Sequence, residues 1–310
     1  MGYPRFLCIG ARKAGTTWLW SNLRAHPRAW LPPQKEIHYL DRRPPPLADR
    51  LFGRHRHLQN ARQHLRGTFL AQWRRWSPDE LRWAARHCLS PRSDAWYRSL
   101  FPEDDGLLTG EVCPGYARLS LERIAHLARL VPDLKVIYLV RDPVEVAWSS
   151  ACARFAKKHG GIAGAEPGTV ERYLCSEDSV QRYDYARNLL GWRTFFPDER
   201  IFLGYYDDLA ADPRDALVRI LDFLGLDSGD ACIPPDVAIP RGAPAGRRVA
   251  MAERYRRLLA RVFVDRIEVL HHLRPHPHSA RWLAAARSWA AAPAGGPAAT
   301  GRNGSAVPCR

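Results

Sequence analysis

No stretch of this 310-residue chain reaches the roughly 18 to 20 uninterrupted apolar residues that a membrane-spanning helix needs. Residues 1 to 9 (MGYPRFLCI) run straight into an apolar segment without the basic region, apolar core and cleavage site of a secretory leader, so a soluble protein that stays in the cytoplasm is expected. Lysine is scarce: five of the 47 basic residues are Lys (13, 35, 135, 157 and 158) and the rest are Arg. The seven cysteines (8, 88, 113, 152, 175, 232 and 309) are scattered, odd in number and never at CxxC spacing, which excludes a zinc ribbon and a disulfide framework. They read as small buried apolar residues. No internal repeat is present.

What the chain does have is a 46% hydrophobic composition over a length that suits one or two globular domains with a full core. A fibrous or wholly disordered protein is thereby excluded. The net charge of +15 points to an anionic partner: a phosphorylated small molecule, an acidic glycan or nucleic acid. Abundant Arg, Ala and Pro form a background bias, which gives the rare lysines more weight than the arginines. His271, His272, His276 and His278 are close in sequence, but Pro275 and Pro277 break any regular ligand spacing, so a helix end is expected there and no metal.

Apolar periodicity predicts alternating strands and helices. RFLCI (5 to 9) is a strand ending at Gly10, and 16 to 25 (TTWLWSNLRA) is a helix. LLTGEV (107 to 112) is a second strand; 120 to 130 carries Leu121, Ile124, Ala125 and Ala128 on one helical face and stops before Pro132. KVIYLV (135 to 140) is a buried parallel strand, followed by a helix capped by Asp142 with Pro143 at its first position. A helix over 180 to 196, a strand over 201 to 206 and a helix from Asp212-Pro213 to Gly225 continue the pattern. The fold class is α/β: a P-loop-like parallel sheet flanked by helices on both faces, in one domain over 1 to 284. Residues 42 to 100, rich in Arg and holding Trp73, Trp76, Trp83 and Trp96, read as a helical insertion over the ligand edge. The Ala/Gly/Pro-rich residues 285 to 310 are expected to be disordered.

Gly10-Ala-Arg-Lys-Ala-Gly-Thr-Thr17 has the G-x4-G spacing of an anion loop between strand and helix. It is not a Walker A sequence, because Thr16 stands where Lys follows the second Gly and Lys13 lies before it. A nucleotide triphosphatase also needs a strand-end Asp to hold Mg²⁺, whereas here the strand ends in Arg141 and Asp142 is spent as a helix cap. Lys and Arg without a metal carboxylate suit a donor whose charge the protein itself neutralises.

At these residues the chain resembles sulfotransferases that use 3′-phosphoadenosine 5′-phosphosulfate (PAPS). ARKAGTTWL (11 to 19) is similar to their 5′-phosphosulfate loop, and VIYLVRDPVEVAWSSACARF (136 to 155) to their 3′-phosphate motif, with Ser149 eight residues after Arg141. KEIHYLD (35 to 41) resembles the acceptor-side motif of the carbohydrate and heparan-type branch, GEVCPGY (110 to 116) its Gly-Glu-x-Ser-Pro-x-Tyr segment, and 185 to 226 its C-terminal half. Cys113 replaces the usual Ser, Tyr183 stands near a usual Gly, and RGAPAGRR (241 to 248) is only loosely similar to the late cofactor loop.

The resemblance implies a PAPS site made by Arg12, Lys13, Ala14, Gly15, Thr16, Thr17, Trp18, Arg141 and Ser149, with Arg241 and Gly242 from the late loop. It further implies Glu36 as general base, His38 as its partner or the base itself, Lys13 on the bridging oxygen and no metal. The acceptor is a glycan or small-molecule hydroxyl, with no nucleic acid and no membrane span. Two other classes compete. A P-loop kinase with a degenerate Walker A requires Mg²⁺, and a basic nucleic-acid-binding protein leaves both anion motifs unused.

Overall fold

The computed structural model describes residues 2–41, 76–103, 106–159, 161–234, 237 and 249–292. Strand β1 (Phe6–Gly10) is buried at every position, and β4 (Lys135–Val140) at all but its first. Strands with no wet face belong at the centre of a covered parallel sheet. Helix α1 (Thr16–Ala25) follows β1, and the short β2 (Ala29–Trp30) and β3 (Leu108–Val112) lie on one side, with β5 (Ile201–Tyr205) on the other. All five strands are parallel, in the order β2-β3-β1-β4-β5. From β1 the chain crosses to the edge strand β2, returns through β3 beside β1, and then crosses to the other side for β4 and β5. With right-handed crossovers that reversal puts the connecting helices on opposite faces and opens a crevice at the carboxyl ends of β1 and β4.

The glycine in β3 is a packing requirement. Gly110 pairs with Phe6, and a Cβ at Gly110 would land inside the Phe6 ring. Gly110→Ala is therefore expected to cost about 1 to 3 kcal/mol by overpacking, read as a lower urea midpoint with an unchanged slope.

The helices follow their punctuation. Between residues 76 and 103, α2 (Pro78–Leu89) starts on a capping box of Ser77 and Glu80, and α3 (Asp94–Ser99) on Ser93. They bury a second core of Ile37, Trp83, Ala84, Trp96, Tyr97, Leu100 and Phe101. The indole N–H groups of Trp83 and Trp96 donate to the Leu100 and Arg86 carbonyls, so these two rings are core and not a sugar-stacking platform. Residues 42 to 75, including Trp73, lie outside the described residues. α4 (Leu121–Leu130) precedes β4, and α5 (Pro143–His159) begins on Asp142, whose carboxylate accepts from the Val144 amide at 2.9 Å.

After α6 (Pro167–Leu174), the helix expected over 180 to 196 is instead two short ones, α7 (Glu177–Arg182) and α8 (Tyr185–Arg193). Asp184 causes the break, since its side chain accepts from the Arg187 amide and opens a new N-terminus. After β5 come α9 (Tyr206–Ala211) and α10 (Pro213–Leu224), the latter capped by Asp212 and stopped at Gly225 as expected. α11 (Glu253–Leu273) packs along α12 (Pro277–Ala291). α12 corrects the expected disorder over 285 to 291, where Trp282, Leu283 and Ala286 are buried and the helix continues to Ala291, while residues 293 to 310 lie outside the described residues. The histidine run joins these helices to the sheet, with His276 stacked on Tyr205 at 3.9 Å and His278 Nε2 2.7 Å from Asp208 Oδ1.

Cys8 and Cys113 are buried free thiols, as expected; Cys88, Cys152 and Cys232 are free but only partly buried, and Cys175 is disulfide-bonded. Scattered spacing gave no sign of that bond. Among the described residues no helix is long and apolar enough to cross a membrane.

Candidate active site

β1 ends at Gly10 and the chain turns through Ala11 to Gly15 before α1 begins. Gly15 is the N-cap in the left-handed region (φ 92°), and no side chain caps the helix. The first-turn amides of α1 are thus left to an external acceptor, which is how a helix N-terminus binds an anion. Arg12, Lys13 and Thr17 are exposed, while Ala14 and Thr16 are buried. Trp18 is only 3% exposed and its indole N–H donates to the Val237 carbonyl at 2.8 Å, so this ring supports the loop from below.

Arg141, at the end of β4, comes to the same loop. Its Nη1 donates to the Lys13 carbonyl at 3.4 Å and its guanidinium lies 4.6 Å from the centre of the Tyr206 ring. Burial pushes the Asp142 carboxyl up to about 6 against the pull of the Val144 amide, whose N–H it accepts as the cap of α5. Ser149 is half-buried on α5, less than about two turns from the helix start. Arg241 and Gly242 lie outside the described residues.

Residues 35 to 41, the segment expected on the acceptor side, form a compact loop after β2. Glu36 Oε2 is 3.3 Å from His38 Nε2, and His38 Nδ1 is 2.7 Å from Asp41 Oδ2. Hydrogen bonds donated to the Asp41 and Glu36 carboxylates raise His38 to about 9 against the opposing effect of burial. At neutral pH the ring is therefore an imidazolium that donates from both nitrogens. Burial pushes Glu36 up, but the His38 hydrogen bond and the charges of Lys35 and Arg12 outweigh it and hold the carboxyl below the usual Glu value. Glu36 stays ionised and His38 protonated.

Two residues missed in the sequence complete the site. Lys35 Nζ donates to Thr16 Oγ1 and Thr17 Oγ1, both at 3.0 Å, and stands 3.7 Å from Glu36 Oε1. Its scarcity and its place at the head of KEIHYLD were the hints, but 19 residues separate Lys35 from Thr16. Asp41 is the other, at i+3 from His38. His38 Nδ1, Asp41 Oδ2 and Cys113 Sγ also lie within 4.8 Å of one another. Burial holds the Cys113 thiol well above its usual value, and with the imidazolium this donor set would have to shed two protons before taking a metal.

Lys13, Glu36 and His38 share one further property. They are the non-glycine residues with positive φ among the described residues, at 66°, 63° and 57°. Such backbone is costly for L-residues and collects where a site over-determines it.

Residues 4–230 match the sulfotransferase family. The chain belongs to that family. Human heparan sulfate glucosamine 3-O-sulfotransferase 3B1 is 33% identical over 138 residues, 43% of this chain and 35% of that protein. The human 3-O-sulfotransferase 6 is also 33% identical, over 140 residues, 44% of this chain and 40% of that protein. These alignments span well under half the length of the curated relatives. Among solved structures, a sulfotransferase from Alicyclobacillus acidocaldarius superimposes with a TM-score of 0.61 at 19% identity, over 91% of this chain and 99% of that one. Mouse sulfotransferase SULT7A1, complexed with PAP, gives 0.50 at 13% identity, over 92% and 89%. At these identities the structural likeness shows the fold alone. The five-stranded parallel sheet flanked by helices is the P-loop-like fold these sulfotransferases share.

Proposed function

We propose that this chain transfers a sulfuryl group from PAPS to a hydroxyl of a glycan or small-molecule acceptor. The observation that carries the reading is the single ammonium of Lys35, which touches the hydroxyls of the phosphate loop on one side and the Glu36 carboxylate on the other. Anion cradle and base are thereby one structure.

In the proposed reaction Glu36 takes the proton of the acceptor hydroxyl as that oxygen bonds to sulfur. The bond between sulfur and the 5′-phosphate oxygen breaks, and its electron pair leaves on adenosine 3′,5′-bisphosphate. The products are that nucleotide and a sulfate ester. Negative charge grows on the departing oxygen, so cations fixed beforehand around the loop lower the barrier most. Lys13, Lys35 and the α1 amides are the groups proposed for that oxygen, with Arg141 and Ser149 on the 3′-phosphate. His38 is full of protons at neutral pH, which favours Glu36 as the base; His38 and Asp41 aim it.

Transfer of label from radiolabelled PAPS into hydroxylated compounds of a cell extract tests the reading. It is expected to persist in excess chelator, because Asp142 caps α5 and the loop is surrounded by protein cations. Complete loss restored by Mg²⁺ would favour the kinase reading instead.

A further inference from the structure

Glu111 is 1% exposed in β3, and from sequence it serves equally as a site carboxylate or as an arginine's ion-pair partner. Among the described residues its contacts decide the matter. Oε1 accepts from the backbone N–H of Ile37 at 3.0 Å, the residue between Glu36 and His38. The Tyr97 hydroxyl donates to Oε2 at 2.5 Å, and the Tyr116 hydroxyl approaches both oxygens at 3.1 and 3.2 Å. The Tyr116 oxygen in turn accepts from the Tyr39 amide at 3.0 Å and the Leu40 amide at 3.5 Å. The Glu36 amide donates to the Val112 carbonyl at 3.1 Å.

The loop from 36 to 40 is thus stitched to β3 and Tyr116 at four of its five amides. Those bonds, with Arg92 Nη1 donating to the His38 carbonyl at 3.2 Å, hold Glu36 and His38 in left-handed backbone, which an L-residue leaves readily. Gly115 adds to the fit, since a Cβ there would strike the Asp41 carboxylate and crowd the His38 ring.

We infer that Glu111 is a positioning residue whose buried carboxylate, with Tyr97 and Tyr116, locks the Glu36–His38 loop in its working geometry. The inference rests on the sulfotransferase reading only for what Glu36 and His38 do. Beyond its geometry, the carboxylate acts through charge. Burial pushes Glu111 up to about 7, while the Tyr97 and Tyr116 hydroxyls, the Ile37 amide and the His38 charge pull it down. The groups facing it are Tyr97 from α3, Tyr116 and Cys113 beyond β3, and His38 from the loop. A negative Glu111 favours the His38 imidazolium, so its loss must lower the pKa of His38.

Nitrogen-labelled Glu111→Gln and Tyr116→Phe proteins test this, with three readouts: the His38 imidazole titration, exchange of the Ile37 and Tyr39 amides, and calorimetric binding of adenosine 3′,5′-bisphosphate. In Glu111→Gln, His38 is expected to titrate below its wild-type midpoint of about 9. Loop amides should exchange about tenfold faster or more, while strand β4 amides and nucleotide binding stay as in wild type. A merely structural role would leave the imidazole titration in place. If Glu111→Gln does not fold, Tyr116→Phe decides, by faster or unchanged exchange at Tyr39. Unchanged His38 titration and unchanged loop exchange overturn the inference. Failure of wild type to bind the nucleotide would instead count against the sulfotransferase reading and leave these two measurements standing.

Discussion

Glu36→Gln is expected to lower turnover by about 10²- to 10⁴-fold while leaving adenosine 3′,5′-bisphosphate binding intact. Glutamine keeps the size of the side chain and can still receive a hydrogen bond from His38, but it cannot take a proton from an alcohol. The same site sets the pH dependence. Glu36 is held below the ordinary Glu value, so the rate should stay full through neutral and mildly acid pH and fall only as pH drops through that depressed range. His38 is raised, so its imidazolium persists below about 9 and is lost above it. The rate should therefore also decline with a midpoint near pH 9, as the cation that aims Glu36 disappears. His38→Ala is expected to abolish the alkaline limb and lower the rate less than Glu36→Gln. The opposite ranking would make His38 the base.

Lys13→Ala is expected to cost about 10²- to 10³-fold in kcat, with a smaller change in affinity for the nucleotide product. Its ammonium is exposed at the loop apex and is proposed to meet charge that appears only as the sulfuryl group departs. Lys35 differs in kind. Burial lowers its pKa and the Glu36 charge draws it back, and its Nζ is already bonded to two threonine hydroxyls. Lys35→Ala should therefore weaken nucleotide binding as well as turnover. Removing that cation also disfavours the Glu36 carboxylate, so the acid limb should move to higher pH. A single-turnover experiment with each variant separates the two effects. An unchanged kcat in Lys13→Ala would remove Lys13 from the mechanism.

Much of the frame was readable because it is built from local signals. KVIYLV could only be a buried strand, Asp142-Pro143 and Asp212-Pro213 could only open helices, and Gly10 to Thr17 could only be a turn into a helix. What stayed hidden depends on contacts between distant segments. The Lys35 bridge joins segments 19 residues apart, and the Glu111 network joins β3, α3 and the 36–40 loop. Tyr183 and Asp184 break a helix whose periodicity runs on, because a side-chain cap outcompeted the backbone there. By composition the residues from 285 on resemble a tail. Alanine is also the strongest helix former, and with Ala286 buried the helix runs on to Ala291. The scattered cysteines likewise concealed the Cys175 disulfide, since bonding depends on approach in space and not on spacing.

The most direct measurement of the central claim is nucleotide discrimination. Adenosine 3′,5′-bisphosphate has two anionic arms of about −2 each, and two anion sites are proposed for them: residues 12 to 17 for the 5′ arm, and Arg141 with Ser149 for the 3′ arm. A kinase pocket has no use for the second. Arg141 already reaches the loop, with its guanidinium against Tyr206, so both sites open on one crevice. Stripping the 3′-phosphate of its charge partner should cost on the order of 2 to 5 kcal/mol. Calorimetry on wild type and Arg141→Ala, each with the bisphosphate and with 5′-AMP, reads this directly. The account predicts a strong wild-type preference for the bisphosphate that Arg141→Ala largely erases while 5′-AMP binding survives; equal wild-type affinities for the two nucleotides would contradict it.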